Sequence, residues 1–169
     1  MKRVLGLSLL LSSVALVDSA AAQSEPQLIS EHKDWTVYVL GEGAEKICYM
    51  FSSPFESDPQ VEGREAVWVT VTHRPATQTV SEVGVIAGYE YRSGTSVDVL
   101  VDTKKYQLFT KGDGAWLGTL EEESEIIIDM KKGRRMSVVG VSTSDETTTD
   151  KFSLLGFTAA HRAIDKACS

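Results

Sequence analysis

The chain is poor in the residues from which reactive sites are usually built. It has two cysteines, three histidines and no asparagine in 169 residues. The histidines, His32, His73 and His161, have no second His or Cys at ligand spacing, so no zinc site and no cofactor are expected. No Gly-x-Ser-x-Gly elbow occurs, and Gly84-Val85-Ile86-Ala87-Gly88 fits neither a nucleophile turn nor a phosphate loop. The cysteines stand far apart, whereas redox catalysis favours C-x-x-C. Basic residues are the minority, 17 against 24 acidic ones for a net charge of -7, which argues against nucleic acid as a partner. Beyond the N-terminus there is no long apolar run, so no transmembrane anchor is expected in the remaining chain.

What is present begins with an address. Lys2 and Arg3 precede an apolar run from Val4 to Val17, and Ser19-Ala20-Ala21-Ala22 offers an A-x-A cleavage pattern ending at Ala22. At about 1.5 Å per residue the run is too short to cross a hydrocarbon core of roughly 30 Å. Residues 1–22 therefore read as a signal peptide, 23–34 as a flexible lead-in, and 35–169 as one β domain. The expected location is periplasmic or secreted.

From Trp35 onward the pattern is mostly of period two. Trp35, Val37 and Val39 alternate with Thr36, Tyr38 and Leu40; Val67, Val69 and Val71 alternate with Trp68, Thr70 and Thr72. Further strands are expected at Ile47–Ser52, Val80–Ala87, Val97–Asp102, Tyr106–Thr110, Met136–Thr143 and Thr147–Leu155, with Ser53–Gly63 as a loop. Asp113-Gly114-Ala115-Trp116 reads as a tight turn. Two segments break the rhythm. Thr119-Leu120-Glu121-Glu122 is a capping box opening a short helix that Lys131, Lys132 and Gly133 close. A second helix starts near Thr158, with Ala160, Ala163, Ile164, Ala167 and Cys168 on its apolar face and His161 and Asp165 elsewhere, as a surface pair. The fold class is mainly β: an antiparallel sandwich or barrel-like domain with one internal and one C-terminal helix.

Cys48 lies in a strand and Cys168 on the inward helix stripe, and both outlast signal cleavage. An oxidising compartment then joins them into one structural disulfide, against the alternative of two buried thiols. Closing so long a loop is worth roughly 5 kcal/mol. Candidate partner contacts are His73 and Arg74, at a strand end before Pro75, and Tyr89, Tyr91 and Arg92, an aromatic and cationic patch. Sheet-edge capping and cross-strand tyrosine packing explain the same residues without a partner. Lys131-Lys132-Gly133-Arg134-Arg135 is the one basic run; it suits an anionic surface, or simply a helix end neutralising its dipole. The acids Glu121, Glu122, Glu123 and Glu125 are explained by the helix dipole and solubility.

Several strings together resemble one family, the invasion-associated locus B proteins of the alphaproteobacterial envelope. They are Asp34-Trp35, Ile47-Cys48-Tyr49-Met50, Val71-Thr72-His73-Arg74-Pro75, Ala87-Gly88-Tyr89, Leu108-Phe109-Thr110, Ala115-Trp116 and Met130-Lys131-Lys132-Gly133. To these is added Gly156-Phe157-Thr158-Ala159-Ala160 leading to Ala163-Ile164-Asp165-Lys166-Ala167-Cys168. The resemblance implies an exported, disulfide-bonded, mainly β protein with a C-terminal helix and a link to host-cell invasion in some pathogens. It carries no catalytic residues. The expected function is a non-enzymatic envelope protein that binds a protein or envelope component. The alternative is a small-ligand carrier or periplasmic enzyme inhibitor on a β-barrel.

Overall fold

A computed structural model describes residues 25–169; the expected signal peptide and its cleavage point after Ala22 lie outside them. The strands are β1 (Gln27–His32), β2 (Trp35–Leu40), β3 (Ile47–Ser52), β4 (Glu56–Asp58), β5 (Trp68–Arg74) and β6 (Thr79–Ile86). They continue with β7 (Ser96–Val101), β8 (Lys104–Lys111), β9 (Gly114–Trp116), β10 (Arg135–Val141) and β11 (Thr147–Ser153). Helix α1 spans Leu120–Lys132 and α2 spans Phe157–Ala167.

All eleven strands join one antiparallel sheet in the order β1-β2-β3-β5-β6-β9-β8-β7-β10-β11-β4. Alternation explains its two faces: Val37, Met50, Val71 and Val99 point into a single core, with their chain neighbours facing out. The sheet curls until its far parts meet through side chains and loops. Trp35 Nε1 donates to the Ser153 carbonyl at 3.1 Å, and the Asp34 amide donates to the Leu155 carbonyl at 3.3 Å. Gly156, at φ 93°, sits here because a Cβ would collide with the His32 carbonyl oxygen.

The expected antiparallel β domain with two helices is what forms, and α1 starts as its capping box dictates. Thr119 Oγ1 accepts from the Glu122 amide at 3.2 Å, and Gly133 follows the last helical residue. Four expectations need correction. The lead-in is not irregular: β1 lies within it, paired with β2 through backbone groups that need no apolar pattern. The loop after β3 holds β4, which pairs Asp58 with Thr149 on β11. Gly114–Trp116 is a strand between β6 and β8, not a turn. Helix α2 buries Phe157, Ala160, His161 and Ile164 rather than the expected stripe Ala160, Ala163, Ile164, Ala167 and Cys168, a rotated face that carries His161 inward.

Candidate functional site

The C-terminal end of α2 is fastened to the sheet by covalent and polar links. Cys168 bonds Cys48 on β3, with Cα atoms 5.9 Å apart, inside the usual range. Lys46 Nζ donates to the Ala167 carbonyl at 2.6 Å. Cys48 pairs laterally with His73 on β5, where a bulge in the β5–β6 ladder gives Ser81 a φ of 58°.

Around that bulge four polar side chains interlock. The Ser81 amide donates to His73 Nδ1 at 2.8 Å, so the proton of a neutral His73 ring sits on Nε2 and is donated to Asp165 Oδ1 at 2.9 Å. His161 Nδ1 lies 3.0 Å from Asp165 Oδ2, and its Nε2 lies 2.9 Å from Ser81 Oγ. Burial holds His161 below the usual histidine range, while Asp165 acts in the opposite direction. His73, His161 and Asp165 bring possible ligand atoms within 4.8 Å of one another, across β5 and α2. A metal does not suit them. Coordination at His73 Nε2 would move the ring proton to Nδ1, directly against the Ser81 amide proton. Ser81, His161 and Asp165 also stand in the order nucleophile, base, carboxylate. The Ser81 amide is committed to His73, however, and none of the grooves described below is lined by Ser81. The arrangement works as a buckle that holds α2 on the β5–β6 hairpin.

A different chemistry faces outward. Lateral pairing aligns Phe51, Thr70, Gly84, Trp116 and Phe109 in one row across β3, β5, β6, β9 and β8. The outward face of an antiparallel sheet is ordinarily polar; this one carries aromatics. Phe51 meets Trp68 edge-on at 4.8 Å, and Tyr38 stacks on Tyr49 at 5.8 Å. Beyond Trp116 the row opens into a groove of about 800 Å³ between the tip of the β5–β6 hairpin and the start of α1. Val80, Phe109 and Leu120 stand 65 %, 52 % and 79 % exposed along it. Glu123 also lines it. This carboxylate is buried, accepts from the Val83 amide at 2.8 Å, and is pushed by burial up to about 7. Sequence reasoning placed Glu123 among dipole-facing acids. The missed signal is its position on the stripe Glu123, Ile126, Ile127, Met130.

The five expected contact residues do not form one patch. His73 and Tyr91 are buried, and Tyr91 packs edge-on against Tyr89 at 5.5 Å. Arg74 lies on the rim of the groove, paired with Glu82 at 2.6 Å. Arg92 is exposed and paired with Asp145. Tyr89 borders a smaller groove of about 380 Å³ and lies beneath the Arg64 guanidinium, 4.7 Å from its ring centre. Arg64 in turn forms a buried two-pronged pair with Asp150, at 2.9 and 2.6 Å, and donates to the Ala87 carbonyl at 2.7 Å. This pair ties the β4–β5 connection to β11, a contact no local pattern announces.

A disulfide-fastened, curled antiparallel sheet carrying two helices defines a class of small β domain. Residues 35–165 match the family model described as Invasion associated locus B (IalB) protein. The chain belongs to this family. Among solved structures, invasion associated protein B from Bartonella henselae shares the fold, with a TM-score of 0.58 at 12 % identity, over 83 % of this chain and 97 % of that one. No curated protein matches the chain.

Proposed function

We propose that this chain is an exported, non-enzymatic envelope protein that binds a protein partner through the outward aromatic row and the groove at its end. The observation that carries this reading is the convergence of Val80, Phe109 and Leu120, all exposed, on the groove beside Trp116. The groove is bordered by charge: Lys111 and the Arg74–Glu82 pair line its polar edge. Export is supported by the disulfide, a bond that forms and persists in oxidising compartments. The name of the Bartonella henselae neighbour associates that protein with invasion, and the proposal extends the association to this chain. The inward residues of the strands, among them Val37, Met50 and Leu108, pack into one core with the helices, which favours surface binding over a carrier's interior cavity.

The test places a photo-crosslinking residue at Val80 in intact cells, with a second at Ile128, an exposed position on α1. One discrete crosslinked protein from Val80, lost in F109S/L120S and not obtained from Ile128, is the expected result. Equal capture from both positions, or none from Val80, overturns the binding reading. Hydrolytic turnover that disappears in His161→Ala overturns the non-enzymatic part.

A further inference from the structure

The basic run at the end of α1 has no counterpart elsewhere in this acidic chain, and the binding row does not use it. Its last two residues open onto a separate groove of about 510 Å³. Arg134 and Arg135 line it together with Phe55 and Leu155, which are 56 % and 61 % exposed. The Arg135 guanidinium stands 6.0 Å from the centre of the Phe55 ring. Arg64, Arg74 and Arg92 each pair with a carboxylate, whereas Arg134 and Arg135 make no ion pair among the described residues.

The backbone holds these side chains in place. The amides of Arg134 and Arg135 donate to the Asp102 carboxylate at 3.2 to 3.3 Å, the Leu154 amide to the Arg134 carbonyl at 3.0 Å, and the Phe55 amide to the Lys151 carbonyl at 2.9 Å. The side chains of Arg134 and Arg135 are exposed, and the nearby Asp102 carboxylate is taken up by their backbone amides. Lys131 and Lys132 add two exposed cations on the preceding turn. Asp34 is the one carboxylate lining the groove.

We infer that this face docks on the surface of a bilayer containing anionic phospholipid, with the arginines on lipid phosphates and Phe55 and Leu155 among the upper acyl carbons. Two guanidiniums suit phosphate oxygens, and exposed Phe and Leu beside them suit the headgroup–acyl boundary. A free phosphate would engage the cations and leave the apolar pair without a role. The inference does not depend on the proposed protein partner.

Aliquots of the exported, disulfide-bonded protein are used. They are floated with vesicles of phosphatidylcholine alone and of phosphatidylcholine with an equal part of phosphatidylglycerol. Binding is expected only to the anionic vesicles, decreasing with added salt. R134E/R135E should weaken it about tenfold or more, F55S/L155S should weaken it at unchanged net charge, and Asp34→Asn should strengthen it. All five positions are exposed, and unchanged melting curves will show that the variants fold. No binding to anionic vesicles overturns the inference. So does binding that survives both double variants, or full competition by inorganic phosphate together with indifference to F55S/L155S.

Discussion

The end of the molecule where α2 closes on the sheet and the face where β8, β9 and α1 meet treat their side chains in opposite ways. At the first, each polar group has a partner: His73, His161, Asp165 and Ser81 exchange hydrogen bonds around the disulfide. At the second, large apolar side chains stand in water beside Glu123, a carboxylate that burial pushes up to about 7. A closed polar network stores its worth in stability, whereas exposed apolar surface stores it for a partner. Substitutions at the two places should therefore fail differently.

The largest effect belongs to the closed end. Cys48→Ser and Cys168→Ser should each lower unfolding free energy by about 5 kcal/mol, with the double variant no worse than either, as read by urea denaturation. Unequal single variants would mean that one sulfur matters outside the bond. Arg64→Met, which strands the buried Asp150 charge, should cost about 3 to 5 kcal/mol; adding Asp150→Leu should recover much of it.

Two pH profiles sharpen the contrast with opposite slopes. Glu123 is raised from 4.5 to about 7, so the native state holds its proton more tightly than the unfolded chain does. Its contribution is full below pH 4.5 and is lost as pH rises through about 7. Glu123→Gln should consequently gain on the order of 2 kcal/mol at alkaline pH and little in acid. His161 is depressed below 6.5, so the unfolded state binds more protons in that window and stability decreases as pH drops below 6.5. His161→Gln should flatten this part of the profile. Least of all should F109S/L120S change stability, by about 0.5 kcal/mol or less, while abolishing the Val80 crosslink.

Much of this architecture is written locally. Val97, Val99 and Val101 announce β7 by alternation, and Asp102 at φ 50° supplies the two-residue turn into β8. Thr119 and Gly133 mark both ends of α1; Gly133 suits a crowded spot, where a Cβ would press on Leu154, the Asp129 carbonyl and Val101. The family resemblance read from scattered strings is matched by the family model over 35–165. What stayed hidden depends on register and distance. Phe51, Trp116 and Phe109 fall in line only because β3, β5, β6, β9 and β8 pair in one particular alignment, and no short window contains that alignment. The His73–Asp165 link spans 92 residues, and His161 turns inward because α2 lays that face on the β5–β6 hairpin, where Ser81 meets it. Burial then decided the expected contacts, taking His73 and Tyr91 off the surface and leaving Arg74 and Arg92 on it in separate settings.

The 120-residue span of the Cys48–Cys168 bond turns most of the domain into a closed circle of chain. A protease that nicks any turn between those residues opens the circle without releasing a piece, so the fragments stay joined and can reassemble around the same core. The stretch before Cys48, which carries β1 and β2, lies outside the circle, as does Ser169. A cut in that stretch frees the edge of the sheet; a single cut within the circle leaves one covalent molecule.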